Sequence, residues 1–205
     1  ARVGLHAAAG TAVIGGIIFD MLDGRIARLV KGESSFGIEF DSLSDFLTFC
    51  VAPAYLMSAL WLKDYGLGGY TVAFLFLLCG GLRLARFNAV AQSGQDSKKQ
   101  FQGLPTPAAA GFLASFALVY HAIEQEESAR VWALLTVPVQ ALAAVLPFIM
   151  LGLSFLMVSN IPYGAFKQLR PFDLRDVKVL LAVGTAMSLF YFYPQNALFL
   201  MSVFY

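Results

Sequence analysis

Four aspartates are the residues of this chain whose type and spacing are best suited to chemistry. Asp20 and Asp23 are three residues apart, and a helix places both on one face. Asp41 and Asp45 are four residues apart, with the same consequence. The sequence around them is apolar enough for a membrane, where a central aspartate costs about 2.5–3.5 kcal/mol. Mg²⁺ or Mn²⁺ would offset this charge because both prefer carboxylate oxygens, so a divalent-metal site is favoured over a hydrated face of structural ion pairs.

The segment between the two aspartate pairs is polar and basic, which favours a phosphate-containing ligand. Glycines allow close approach, and Arg28 can bind phosphate through its planar fork of donors. Ser34 could hydrogen-bond phosphate, although a serine that only caps a helix would look the same. The sequence has no GxxxxGK(S/T) loop, so an ordinary ATP site is not expected. Together with a metal, these residues predict a diphosphate ligand.

The composition indicates that membrane helices must position these side chains. Of the 205 residues, 59% are hydrophobic and only 13% are charged, against about 25% in soluble domains. Apolar runs recur from end to end, and the mean hydropathy is +0.70. The net charge of +1 does not indicate a nucleic-acid partner. Cys50 and Cys79 fall in apolar helices and are predicted to be small packing residues.

The apolar runs predict an all-α fold, a polytopic transmembrane bundle of six or more helices in a single integral-membrane domain over residues 1–205. The helices are expected at roughly Val3–Arg28, Gly37–Leu62, Tyr70–Val90, Ala108–Ile123, Ala129–Val158 and Val177–Tyr193. Residues 63–69 are expected to form a turn. Pro53 is expected to kink the second helix. The fifth run is expected to be one long helix bent near Pro138 or Pro147, or a helix with a re-entrant piece.

The distribution of basic residues predicts the orientation of the bundle. Eleven of the 14 Lys and Arg residues fall on alternate connections. These are the aspartate hairpin, the end of the third helix with the loop after it, and the polar segment after Val158. By the positive-inside rule this side faces the cytoplasm. A location in the cell (inner) membrane is expected, with the aspartates near its cytoplasmic surface.

Seven residues at fixed spacing resemble the signature of the CDP-alcohol phosphatidyltransferase family. They are Asp23, Gly24, Ala27, Arg28, Gly37, Asp41 and Asp45, and Asp20 also fits. The resemblance implies that an alcohol attacks a metal-bound CDP-linked lipid and that CMP leaves. It implies metal binding by Asp20, Asp23, Asp41 and Asp45, with Asp45 also acting as the general base. It further implies that Gly24, Ala27 and Arg28 contact the CDP group, that Gly37 allows its close approach, and that the protein is a homodimer. Family members usually carry a helix before the aspartate helix, so a missing N-terminal helix is expected.

Segments outside this signature resemble the branch of the family that uses L-serine as the acceptor alcohol. They are LRLARFN, FQGLPTPAAAG and LMVSNIPYGAFK. The implied reaction converts CDP-diacylglycerol and L-serine into phosphatidylserine and CMP. Arg83 or Arg86 could bind the serine carboxylate, or both could be interfacial arginines that enforce topology or contact lipid phosphate. Asn88 could contact the acceptor or cap its helix, and Gln102 could lie near the site or cap a loop.

Three other functions remain open from the residues. A sister transferase would use glycerol 3-phosphate or inositol phosphate, whose own phosphate favours a denser basic pocket. A divalent-cation transporter would use intramembrane carboxylates as its pathway, but it needs them near the midplane of the membrane. It also leaves the glycines and Arg28 near the aspartates unexplained. A purely structural membrane protein leaves the aspartates themselves unexplained.

Overall fold

The structure, a computed structural model, describes residues 8–20, 22, 35–92, 103–124, 139, 141–161, 196, 197 and 199. Within these residues the only regular secondary structure is helical, as expected for an all-α fold. The helices are α1 (Ala8–Asp20), α2 (Ser35–Phe46), a π-helical turn (Leu47–Val51), α3 (Ala52–Leu60), a 3₁₀ turn (Leu62–Tyr65), α4 (Gly66–Gln92), α5 (Thr106–Glu124) and α6 (Leu146–Val158).

Within the part of the chain that the structure describes, three helical runs are long and apolar enough to cross a membrane. They are Phe36–Leu60, Leu62–Val90 and Thr106–Ile123. Helices α1 and α6 are apolar but shorter within the described residues. Large apolar side chains such as Phe74, Phe148 and Phe155 are exposed on the outside, as suits a surface surrounded by lipid. The chain is therefore an integral membrane protein. The predicted helix at Val177–Tyr193 and the first part of the one at Ala129–Val158 lie outside the described residues.

The π-helical turn lies between the aspartates and Pro53. The Ala52 N–H donates to the Leu47 carbonyl, five residues back, instead of four as in an α-helix. Pro53 has no N–H, so the Phe49 carbonyl cannot receive its usual bond. The predicted irregularity therefore takes the form of a wider turn before the proline, which then occupies the first turn of α3.

The start of α4 differs from the turn expected at residues 63–69. A 3₁₀ turn ends at Tyr65, and Gly66, with φ of +55°, reverses the chain so that α4 begins at once. Gly69 lies inside the helix, where a Cβ would overlap the carbonyl oxygen of Leu62. Of the glycines that suggested a loop, Gly66 makes the turn and Gly69 allows close packing inside the helix. Further along, the break at Val145 just before Pro147 agrees with the bend predicted near that proline.

Helix α4 runs antiparallel to the α2–α3 run and packs closely against it. Their contacts, in order along α2, are Ser42 with Asn88, Phe46 with Gly81, and Cys50 with Gly80. Cys50 is fully buried and free, and Cys79 is also free. The glycines let the two backbones approach because a Cβ at Gly80 would overlap the Cys50 sulfur.

The apolar core joins α3, α4, α5 and α6 around side chains such as Phe76, Phe116 and Met150, all fully buried. A smaller cluster of Val13, Phe49, Ala110 and Ala114 attaches α1 to the π-helical turn and to α5. Phe49 therefore links the core to the helix pair that carries the aspartates.

Replacing Gly103 by alanine should lower the thermal stability of the protein. Gly103 has φ of +81°, which costs an L-residue about 1–2 kcal/mol. A Cβ there would also lie 3.0 Å from the Ser159 carbonyl oxygen. The expected result is a lower melting temperature in detergent, followed by thermal-shift fluorescence. Gly68→Ala is the control, since open space surrounds that position in α4; equal melting of the Gly103 variant and wild type would contradict the prediction.

Candidate active site

Three of the four aspartates lie together at one end of the α1–α2 pair. Asp20 lies on α1, at the end of its described range, and Asp41 and Asp45 lie one turn apart on α2. One carboxylate oxygen from each residue lies within 4.8 Å of the others. Asp20 and Asp45 are half-buried and Asp41 is exposed. Asp23 lies outside the described residues.

A close approach of α1 to the π-helical turn brings these carboxylates together. Gly16, one turn before Asp20, lies against Thr48, and a Cβ at Gly16 would overlap the Thr48 methyl group. Helix α1 on one side, and α2 with the π-helical turn on the other, enclose a cleft of about 120 Å³. Its lining consists of Gly16, Phe19, Asp20, Asp41, Ser44, Asp45, Thr48 and Phe49. The cleft is acidic, is bordered by two hydroxyl groups, and lies between apolar helices.

The donor set of this cleft fits a hard divalent cation. Three carboxylates this close repel one another, and Mg²⁺ or Mn²⁺ would remove that repulsion. Such ions also retain coordination positions for phosphate oxygens, since proteins rarely enclose them completely. Gly37 lies one turn before Asp41 on α2 and is exposed. The other predicted CDP contacts, Gly24, Ala27, Arg28 and Ser34, lie outside the described residues.

Two arginines near the end of α4 join three segments that are distant in sequence. Arg83 Nη1 donates to Thr106 Oγ1 at 3.5 Å, and Thr106 is buried at the start of α5. Arg86 Nη1 donates to Asn160 Oδ1 at 2.8 Å, just beyond α6.

Backbone bonds also connect two of these three segments. The Gly103 N–H donates to the Ile161 carbonyl, and the Leu104 N–H to the Leu156 carbonyl, each at 3.0 Å. The LRLARFN, GLPTP and SNIP segments therefore meet at one end of the bundle. Gln102, next to this junction, lies outside the described residues.

Asn88 connects α4 to α2 beside the aspartates. Its side-chain amide donates to Ser42 Oγ at 2.8 Å, and Ser42 directly follows Asp41. The alternative that Asn88 caps its helix is wrong, because α4 continues to Gln92. The half-buried Asn88 amide faces α2 and has its hydrogen-bond partner there, not at the end of its own helix.

Sequence reasoning did not assign several residues that border the aspartates or the arginines. They are Gly16, Ser42, Ser44, Thr48, Thr106 and Asn160. Helical spacing offered a signal for some of them: Gly16 lies four residues before Asp20, and Thr48 lies three after Asp45. Helical spacing gives no signal for Thr106 and Asn160, but both lie in segments that the family resemblance singled out.

Comparison with known proteins shows the family to which this chain is related. Residues 2–149 match the family model described as CDP-alcohol phosphatidyltransferase. A Helicobacter pylori protein named CDP-diacylglycerol–serine O-phosphatidyltransferase is 36% identical over 189 residues, covering 91% of this chain and 71% of its own length.

Relatives of the same name occur outside bacteria. The Methanocaldococcus jannaschii protein is 46% identical over 100 residues, which are 49% of this chain and 45% of that protein. The Saccharomyces cerevisiae protein is 46% identical over 99 residues, which are 45% and 34% of the two chains. With most of its length matched by the family model and three signature aspartates gathered in one cleft, this chain belongs to the CDP-alcohol phosphatidyltransferase family.

Proposed function

We propose that this protein transfers the phosphatidyl group of CDP-diacylglycerol to the hydroxyl of L-serine, giving phosphatidylserine and CMP. The observation that carries the transferase chemistry is the gathering of Asp20, Asp41 and Asp45 in one cleft between apolar helices. The choice of L-serine is supported by the relatives that are named for this reaction.

The aspartates would hold a divalent cation, Mg²⁺ or Mn²⁺, with Asp23 as a further ligand. When bound, the cation supplies positive charge against the diphosphate and the departing CMP. Asp45 accepts the proton of the serine hydroxyl. As that proton moves, the serine oxygen bonds to the phosphatidyl phosphorus and the bond from this phosphorus to the CMP oxygen breaks. Gly24, Ala27, Arg28, Ser34 and Gly37 bind the CDP group.

The acceptor is proposed to bind where α4 meets the segments around Thr106 and Asn160. Free serine brings a carboxylate, and a guanidinium binds carboxylates through paired donors. Each guanidinium has five N–H donors, so the bonds of Arg83 to Thr106 and of Arg86 to Asn160 are compatible with a carboxylate ligand. Gln102 is a further candidate for this pocket. Asn88, the remaining candidate, has its amide on Ser42.

We propose that residues 1–205 form a single domain with six or more membrane helices. The protein is proposed to lie in the inner membrane as a homodimer. The excess of basic residues on alternate connections supports an active site that faces the cytoplasm. Phe19, Phe40 and Leu43 are exposed beside the aspartates, which suits the approach of CDP-diacylglycerol from the surrounding lipid.

Release of CMP by the purified full chain tests the function. With CDP-diacylglycerol and Mg²⁺ or Mn²⁺, we expect CMP to form when L-serine is added. A chelator should stop the reaction, and excess Mn²⁺ should restore it, because the carboxylates need a cation to hold the diphosphate.

Assays with other acceptor alcohols, and a metal-transport assay, test the two alternative functions. CMP release with glycerol 3-phosphate or inositol phosphate but not with serine would assign the chain to a sister activity. Metal uptake into vesicles without any CDP-lipid, in the absence of CMP release, would favour a cation transporter.

A further inference from the structure

The helical run that carries Asp41 and Asp45 presents two rows of side chains to two different neighbours. Asp41, Asp45 and Thr48 face α1, where Gly16 and Asp20 lie. The second row, at a spacing of four residues, faces α4 and consists of Ser42, Phe46 and Cys50. Any rotation of α2 about its axis therefore changes both contacts together.

The two inner contacts of the second row are apolar. A Cβ at Gly81 would lie 3.2 Å from Phe46 Cε2, and the Cys50 sulfur lies against Gly80. Such contacts set how closely the helices approach, but they have little directionality, since dispersion attraction depends on distance only. A hydrogen bond, which requires a defined donor–acceptor direction, would add to what fixes the rotation of α2.

The contact at the aspartate end of this row is a directional hydrogen bond. Asn88 Nδ2 donates to Ser42 Oγ at 2.8 Å. Ser42 Oγ in turn donates to the Ile38 carbonyl at 3.0 Å, so the hydroxyl is both acceptor and donor. The Ser42 hydroxyl thus joins the Asn88 amide on α4 to the backbone of α2. Ser42 is the residue next to Asp41.

We propose that Asn88 is a positioning residue that acts through Ser42 to set the rotation of α2, and so the placement of Asp41 and Asp45 relative to Asp20. It does this without contacting the acceptor alcohol. The inference rests on the proposed metal-binding role of the aspartates. Groups that orient metal ligands typically change metal affinity or activity by about 10–100-fold when removed.

A double-mutant cycle on the full chain tests this inference. The Mn²⁺ affinities of Asn88→Ala, Ser42→Ala, the double variant and wild type are compared. Each affinity is obtained from the electron paramagnetic resonance signal of free Mn²⁺, without CDP-diacylglycerol or serine. Each single variant should weaken Mn²⁺ binding about tenfold. The double variant should be no weaker than either one, because both changes remove the same bond.

Kinetics and two further variants separate positioning from other roles. Asn88→Ala should leave the KM for L-serine unchanged, and Ser42→Thr, which keeps the hydroxyl, should bind Mn²⁺ as wild type does. Ser58→Ala is the matched control, since Ser58 Oγ makes the same kind of bond, to the Ala54 carbonyl at 2.8 Å, on α3 away from the aspartates. If Asn88→Ala does not yield folded protein, Ser42→Ala and Ser42→Thr test the same bond from its other end.

Three outcomes would overturn the inference. They are a raised KM for serine with unchanged Mn²⁺ affinity, additive effects of the two single changes, and equal Mn²⁺ binding by all variants. The proposed function fails separately: if wild type binds Mn²⁺ and the cycle behaves as expected, but serine releases no CMP, the acceptor assignment is wrong and the positioning role stands.

Discussion

Replacing Asp45 by asparagine should lower the rate of CMP release by about 10²–10⁴-fold, the usual contribution of a positioned general base. Asparagine keeps the size of the side chain and one carbonyl oxygen, but it cannot accept the proton of the attacking hydroxyl. Asp45 is half-buried in the cleft beside Asp41 and Asp20. The measurement is single-turnover release of CMP from CDP-diacylglycerol at saturating L-serine.

Metal occupancy must be measured in the same preparation, because Asp45 is also a proposed metal ligand. With Mn²⁺ raised until the variant is saturated, the loss of rate should persist. Near-full turnover with the metal bound would show that Asp45 is not the base. Asp41→Asn should behave differently: more Mn²⁺ should be required, and the rate should recover further once the site is saturated.

Asp64→Asn is the matched control for both aspartate variants. Asp64 lies in the 3₁₀ turn before α4, at the end of that helix opposite to Arg83 and Asn88. The same chemical change there removes a negative charge without reaching the cleft. Its rate and its Mn²⁺ requirement should equal those of wild type, which excludes a general effect of lost acidic charge.

Much of the arrangement around Asp41 and Asp45 could be predicted because it is local. Residues four apart share a helix face whatever the fold, and long apolar runs form helices in lipid because every backbone group must be satisfied within the segment. The fourth predicted helix, Ala108–Ile123, agrees closely with α5 (Thr106–Glu124) for that reason. The charge of four carboxylates in apolar sequence already favoured a shared metal site, and the family signature added the roles of the individual aspartates.

The remaining contacts depend on how each helix slides and rotates against its neighbours, which periodicity within one helix does not contain. The hydrogen bonds of Arg83, Arg86 and Asn88 go to residues on three other segments. The π-helical turn arises from a missing N–H whose effect falls upstream of Pro53. Glycines at 66–69 suggest a loop in isolation, yet Gly69 serves a close contact with Leu62.

Gly16→Ala should have the second-largest effect, although the change adds only one methyl group. The new Cβ would overlap the Thr48 methyl group, and a β-branched side chain in a helical run has few other rotamers to adopt. Helix α1 must then move away from the π-helical turn and carry Asp20 with it. A displacement near 1 Å at a catalytic site can cost about 10²-fold in rate. We expect a loss approaching that size in CMP release, together with weaker Mn²⁺ binding.

A compensating change distinguishes this steric cause from a general loss of stability. Thr48→Ser removes the methyl group that the new Cβ would meet and keeps the hydroxyl, and the remaining Thr48 atoms lie 3.8 and 4.0 Å from that Cβ position. Gly16→Ala combined with Thr48→Ser should therefore recover most of the Mn²⁺ affinity and the rate. Gly15→Ala, where nothing lies within 4 Å, should match wild type or be slightly more stable, since alanine favours helix over glycine. Failure of the double variant to recover, with Gly15→Ala unaffected, would mean that the approach of α1 to Thr48 does not control the position of Asp20.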